Sequence, residues 1–106
     1  MSNAPFDQKY IINVGTVNNS AAGLNAVLAP APPAGYWNIF GTWSVVNNGA
    51  AGNFVLTDPG GNAIQFMTLA AGASGTNIVI FASQGNLNIF PPNNTFQTRL
   101  TYGTTP

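Results

Sequence analysis

Hydrophobic and polar residues alternate along most of this chain, as they do in strands that bury one face. The longest alternating stretch runs from Gly35 to Thr57. Its apolar positions of one parity are Trp37, Ile39, Trp43 and Val45. Asn48-Gly49 interrupts the alternation, and Asn-Gly is a favoured hairpin turn because both residues tolerate positive φ. We therefore predict a long β-hairpin that returns at Asn53–Thr57 and buries both tryptophans in the core.

Shorter segments on both sides of this hairpin are also typical of strands, and Gly, Pro and Asn turns separate them. These predicted strands are Tyr10–Val17, Leu24–Leu28, Ala63–Leu69, Asn77–Ala82, Leu87–Phe90 and Thr95–Tyr102. The proline-rich segment Ala29–Gly35 is predicted to be an extended connection between two sheets. Seven or eight short strands with such turns predict an all-β fold: a single-domain antiparallel β-sandwich of jelly-roll type. Residues 9–106 would form the sandwich, and residues 1–8 an N-terminal arm.

Two turn segments have nearly the same sequence. Val17–Gly23 is VNNSAAG, and Val46–Gly52 is VNNGAAG. Each follows one predicted strand and precedes another. Either similar hairpins use similar turn residues, or one hairpin has been duplicated.

The composition is unusual because so few residues are charged. Only 4% of the chain is charged, against roughly a quarter in most soluble proteins. The charged residues are Asp7, Lys9, Asp58 and Arg99, and the formal net charge is +0. A neutral surface favours protein partners. It argues against nucleic acid, which needs several Lys or Arg residues on phosphates, and against attraction to anionic membranes.

The sequence offers little chemistry for catalysis or metal binding. It contains no His, Glu or Cys, which are among the usual acid–base, nucleophilic and metal-binding groups. Asp58 precedes Pro59 in a turn, where a carboxylate typically caps backbone N–H groups. We therefore predict no enzymatic activity, no cofactor and no metal site. The chain has no basic start and no run of about 18 uninterrupted apolar residues. We therefore expect neither a signal peptide nor a transmembrane helix.

The segment Ile78–Phe81 is apolar on both parities, which a strand with one face in water should not be. If Ile78 and Ile80 enter the core, then Val79 and Phe81 must meet a second chain, or a loop of the same chain such as Ala29–Gly35. Other side chains expected to face a partner lie opposite the predicted core parity or face outwards. The candidate partner interface therefore comprises Val79, Phe81, Tyr36, Phe40 and Arg99.

The second half of the chain, from Asn53 to Gly103, resembles the capsid decoration (cement) proteins of tailed bacteriophages. The similar segments are the strand NFVLTD, the turn PGGN, the strand AIQFMTL, the loop AAGASGT, and then NIVIFA, GNLNIF and TFQTRLTYG. The resemblance implies a jelly-roll domain that binds the major capsid protein on the outer capsid surface, commonly as a homotrimer. It also implies a virion protein that is made in the host cytoplasm.

Two other functional classes are compatible with the sequence. One is a carbohydrate- or receptor-binding module of a tail fibre, in which exposed aromatic side chains would stack on sugars. The other is a self-assembling filament subunit, because neutral β-rich chains with exposed strand edges polymerise.

Overall fold

A computed structural model describes residues 11–106, which form nine strands in two antiparallel sheets. The strands are β1 (Ile11–Asn18), β2 (Ala26–Ala29), β3 (Trp37–Asn47), β4 (Gly52–Thr57), β5 (Ala63–Leu69), β6 (Ser74–Ile78), β7 (Ala82–Ser83), β8 (Leu87–Phe90) and β9 (Phe96–Thr105). Sheet A has the order β1-β9-β3-β6, with β7 also paired to β3, and sheet B has the order β2-β8-β4-β5. This arrangement confirms the predicted antiparallel β-sandwich of jelly-roll type. The predicted arm, residues 1–8, lies outside the described residues.

The core lies between the inner faces of the two sheets and is mainly aromatic and aliphatic. Trp43, Phe54 and Phe96 are fully buried. The rings of Phe54 in sheet B and Phe96 in sheet A meet edge to face, with centroids 5.4 Å apart. The indole N–H of Trp43 donates to Thr98 Oγ1 at 2.7 Å, and that hydroxyl donates to the Ser44 carbonyl at 3.0 Å. The polar atom of the largest core side chain is therefore satisfied inside the core.

The predicted long hairpin is wrong, because β3 and β4 lie in different sheets. The chain crosses from sheet A to sheet B after Asn47, whose side chain is fully buried. Its Nδ2 donates to the carbonyls of Ala50, Leu69 and Ala70 at 3.1–3.3 Å, and its Oδ1 accepts from Gly49 N at 3.0 Å. Asn47 thereby fastens this crossing to the β5–β6 connection, which a local turn preference could not reveal.

The repeated turn sequences mark two equivalent crossings and not two hairpins. The first joins β1 to β2 and the second joins β3 to β4, so both lead from sheet A to sheet B. In the first crossing, Asn19 adopts a left-handed φ of 57°, and its Oδ1 accepts from Phe96 N at 2.9 Å. The proline-rich segment leads back from β2 in sheet B to β3 in sheet A, which confirms the predicted connection between sheets.

A β-bulge in β3 inverts the parity of its first residues. Phe40 lies opposite Tyr102 and Trp43 lies opposite Leu100, so two residues of β3 face one residue of β9. Before the bulge, Asn38 and Phe40 point inwards, while Trp37 and Ile39 are 43% and 42% exposed. The prediction that Trp37 and Ile39 share the buried face of Trp43 and Val45 is therefore wrong.

Contacts from β9 on one side, and from the segment between β6 and β7 on the other, hold the bulge in place. Thr42 N donates to Thr101 Oγ1 at 3.0 Å. A Cβ atom on Gly41 would lie 2.9 Å from that same oxygen, so a larger residue there would displace the hydroxyl that holds the bulge. On the other side, Val79 N donates to the Gly41 carbonyl at 2.7 Å, and Phe40 N donates to the Phe81 carbonyl at 3.0 Å.

The predicted strand Asn77–Ala82 is divided into β6 and β7, with the break beside the bulge. At the break, Val79 is buried and Phe81 is half-buried, stacked on Phe40 with centroids 6.0 Å apart. Ile78 and Ile80 are instead 72% and 94% exposed. The prediction that Ile78 and Ile80 enter the core is therefore wrong, because Val79 lies there instead. The strands β5, β8 and β9 lie where the sequence predicts them, although β9 continues to Thr105.

The two tryptophans provide a matched test of the bulge. Trp43→Ala empties a fully buried site and is expected to lower the free energy of unfolding by about 3–5 kcal/mol. Trp37→Ala removes a side chain that is 43% exposed, and is expected to cost no more than about 1 kcal/mol. Chemical denaturation of both variants measures these values. Equal losses would show that both rings lie in the core and that the bulge is absent.

The predicted capping role of Asp58 is confirmed in the β4–β5 hairpin. Asp58 Oδ1 accepts from the backbone N–H groups of Gly60 and Asn62, both at 2.9 Å. Asp58 Oδ2 accepts from Asn62 Nδ2 at 3.1 Å. The hydrogen bonds from Asn62 are the main reason that the pKa of this carboxyl lies below its usual value of 3.8. The ionised form is therefore favoured by folding.

A pH titration of stability tests this cap. Because the folded pKa is lowered, the stabilisation is present above about pH 4 and is lost as the pH falls through the folded pKa. We expect the stability of wild type to fall more than that of Asp58→Asn when the pH is lowered from about 5 to 2. Thermal melts at each pH provide the measurement. Other acidic groups titrate in both proteins, so parallel curves would contradict the lowered pKa.

Candidate functional site

One apolar surface lies on the outside of sheet A. We call it the A face, and it comprises Ile12, Val14, Trp37, Ile39 and Ile78, all at least 42% exposed. In the strand register, Ile12 and Ile39 lie on either side of Gly103, so their side chains flank a residue that has none. The bulge places Trp37 and Ile39 on this face. Five exposed apolar side chains on one end of a sheet form a patch of the kind that marks an interaction site.

A second apolar surface lies on the outside of sheet B, on the opposite side of the sandwich. We call it the B face, and it comprises Val27, Val55, Phe66 and Phe90. Val55 is the register partner of both Phe90 and Phe66, so the three side chains form one row across β8, β4 and β5. Phe66 is 62% exposed and Phe90 is 38% exposed. The row therefore presents aromatic surface to the surroundings.

Neither apolar face contains a charged residue. In residues 11–106, the charged side chains are Asp58 and Arg99. Asp58 lies in the β4–β5 turn. Arg99 is exposed on the outside of β9, opposite Thr16 and Ser44 and towards the other end of sheet A. Contact at either face would therefore be apolar, with no ion pair to fix its register.

The structure does not bring the predicted interface residues together. Phe81 is half-buried against the chain's own core, and its contact with a partner stays a prediction. Val79 and Phe40 are buried in that core, so their assignment to a partner surface is wrong. The physical reason is the bulge, which inverts the parity of β3 and breaks the strand beside it. Tyr36 is half-buried in a cleft at the end of the sandwich. Arg99 is exposed, as predicted.

Trp37 and Ile39 of the A face were missed because their burial was inferred from an unbroken alternation along β3. The available signal was Gly41, since a glycine inside a strand often marks a bulge. The B face follows simple alternation in β4 and β5, with Leu56 and Met67 inside and Val55 and Phe66 outside. That pattern alone could have identified it.

The described part of the chain contains no cluster of three His, Cys, Asp or Glu side chains that could hold a metal ion. Asp58, the acidic residue of this part, uses both carboxylate oxygens in its turn. In residues 11–106 no helix is long and apolar enough to cross a membrane.

Comparison with known proteins gives likeness at the level of fold. No protein-family model matches the chain, and no curated protein matches it. Among solved structures, a subunit of Bacillus endospore appendages, a family of disulfide-linked pili, is similar with a TM-score of 0.55 and 15% identity, over 99% of this chain and 96% of that chain.

Two cupin domains are similar at a lower level. One, from Bordetella pertussis Tohama I, has a TM-score of 0.35 and 15% identity over 94% of this chain and 85% of that chain. The other, from Desulfovibrio desulfuricans, has a TM-score of 0.35 and 14% identity over 90% of this chain and 83% of that chain.

Proposed function

We propose that this protein is a structural subunit that assembles with copies of itself into a filament. The observation that carries this proposal is the presence of two different apolar faces on opposite sides of one charge-poor sandwich. A subunit with a single self-complementary apolar face forms a closed dimer. A subunit whose A face meets the B face of the next copy leaves a free face at each end, so that addition continues without limit unless the ring closes.

The energetics of such a contact follow from the side chains on the two faces. Burying a fully exposed Ile or Phe side chain contributes roughly 1.5–3 kcal/mol. Ile12, Ile39, Ile78 and Phe66 are all at least 42% exposed and would each gain part of this. Because neither face is charged, assembly meets no like-charge repulsion and does not weaken as salt is raised.

The likeness to the Bacillus appendage subunit supports a filament through fold alone. Those pili are described as disulfide-linked. This sequence contains no Cys, so its subunits would be held together by non-covalent contacts. Apolar burial at the A and B faces supplies the needed affinity in this proposal.

Two aspartate variants, each of which blocks a different face, test the contact between the A face and the B face. Phe66→Asp blocks the B face and Ile39→Asp blocks the A face, because each would bury an unpaired carboxylate. Each variant alone is expected to be monomeric, and an equimolar mixture is expected to stop at dimers. The dimers form because one variant keeps its A face and the other keeps its B face. Sedimentation velocity and electron microscopy of wild type, both variants and the mixture provide the measurement.

The control is Gln84→Asp, which adds the same charge at an exposed loop position outside both faces and should leave filaments intact. If each single variant dimerises on its own, like faces meet and the A-to-B contact is wrong. If both single variants assemble like wild type, neither face takes part and the proposal fails.

Capsid decoration, as predicted from the sequence, is the second candidate. The A face supports it, because an uncharged apolar patch confined to one end of one sheet suits attachment to the major capsid protein on a virion surface. This function requires a discrete particle, commonly a homotrimer, in place of an open polymer. A stable trimer at high protein concentration, with no filaments, would favour decoration over the filament.

A further inference from the structure

A cleft opens at one end of the sandwich, between the proline-rich connection and the inner face of sheet A. Its volume is about 390 Å³, which lies within the usual range for small-molecule sites. Pro32, Pro33 and Tyr36 line it from the connection, and Asn38, Tyr102 and Thr104 line it from the sheet. The cleft is separate from the B face, and it lies on the side of sheet A opposite the A face.

The inner face of sheet A changes from apolar to polar where it lines this cleft. Asn13 Nδ2 donates to Thr104 Oγ1 at 3.1 Å, and that hydroxyl donates to Asn38 Oδ1 at 2.7 Å. Asn38 Nδ2 in turn donates to the Pro30 carbonyl at 2.9 Å. Asn38 and Thr104 are 1% and 6% exposed, so this row is a rigid part of the interior. A polar row at core positions costs stability unless it is satisfied, and here it is.

Two phenol groups in the cleft have hydrogen-bonding capacity to spare. Neither Tyr36 nor Tyr102 makes a side-chain hydrogen bond with any residue that the structure describes. Tyr102 is fixed through its ring, which packs on Phe40 at a centroid distance of 6.2 Å. Burial raises the pKa of Tyr102, so its hydroxyl stays protonated near neutral pH and can both donate and accept.

We propose that this cleft binds a neutral saccharide. No described residue of its lining is charged, so an ionic ligand would lose hydration without gaining a partner. Two tyrosine rings and two prolines offer apolar surface for the C–H faces of a sugar ring. The two phenol hydroxyls offer hydrogen bonds for its hydroxyl groups. A purely apolar ligand would leave these groups unsatisfied.

Saturation-transfer NMR on the wild-type protein tests the proposal. The probes are the methyl glycosides of glucose, galactose, mannose and N-acetylglucosamine, with glucuronic acid and glucosamine as charged comparisons. At least one neutral glycoside should receive saturation from the protein, and the charged sugars should not. Tyr102→Phe, which removes only the hydroxyl, should lower the affinity for that glycoside by about threefold to tenfold. Tyr36→Ala should weaken it further.

Gln84→Asp, which alters an exposed loop residue outside the cleft and outside both apolar faces, serves as the control and should leave the affinity unchanged. The proposal is overturned if no neutral glycoside binds, or if binding is the same in Tyr36→Ala and Tyr102→Phe as in wild type. Binding of a proline-rich peptide in place of the sugars would also overturn it. Filament formation is measured separately by sedimentation, so failure here leaves the assembly proposal standing.

Discussion

The bulge at Gly41 and Thr42 is the constraint on which the rest of the molecule depends. Two residues of β3 face Thr101 alone, and the Thr101 hydroxyl accepts from the Thr42 N–H. Beyond this point β3 keeps Trp43 and Val45 in the core. Before it, Asn38 turns inwards, and Trp37 and Ile39 turn outwards. The polar cleft and the apolar A face are thus two sides of the same inverted stretch of strand.

Amide and hydroxyl side chains supply the hydrogen bonds that fix the connections of this protein, a role that charged residues often have in other proteins. Asn47 ties one crossing to the β5–β6 connection, Asn19 ties the other to the start of β9, and Asn93 Nδ2 donates to Asn47 Oδ1 at 2.9 Å. Inside the sandwich, Thr98 satisfies the Trp43 indole. These neutral hydrogen bonds specify the connections between the sheets without the desolvation cost of buried ions.

The parts of the fold that depend on local sequence could be predicted. The Asp58 turn, the strands β5 and β8, and the alternation of Phe96 and Leu100 with Gln97 and Arg99 all follow from neighbouring residues. The jelly-roll class followed from their number and spacing. The crossing after Asn47 could not be predicted, because it depends on carbonyl groups of Leu69 and Ala70 that are distant in sequence.

The candidate site was less predictable for the same reason. The bulge requires Thr101 on another strand, and it decided which of Trp37, Phe40 and Val79 are exposed. A single unrecognised extra residue therefore moved buried side chains into the predicted interface and exposed ones into the predicted core. The B face needed only an unbroken alternation, and its exposure agrees with the local pattern.

Because the sandwich has so few ionisable groups, its charge changes little with pH. Histidine is the side chain that normally changes charge between about pH 5 and 8, and this sequence has none. Within residues 11–106, the hydrogen bonds of Asp58 keep it ionised down to a lower pH than usual, and burial keeps Tyr102 neutral to a higher one. Between these limits the described part of the domain, residues 11–106, offers no proton switch. An assembly built from it would pass unchanged between neutral and mildly acidic surroundings.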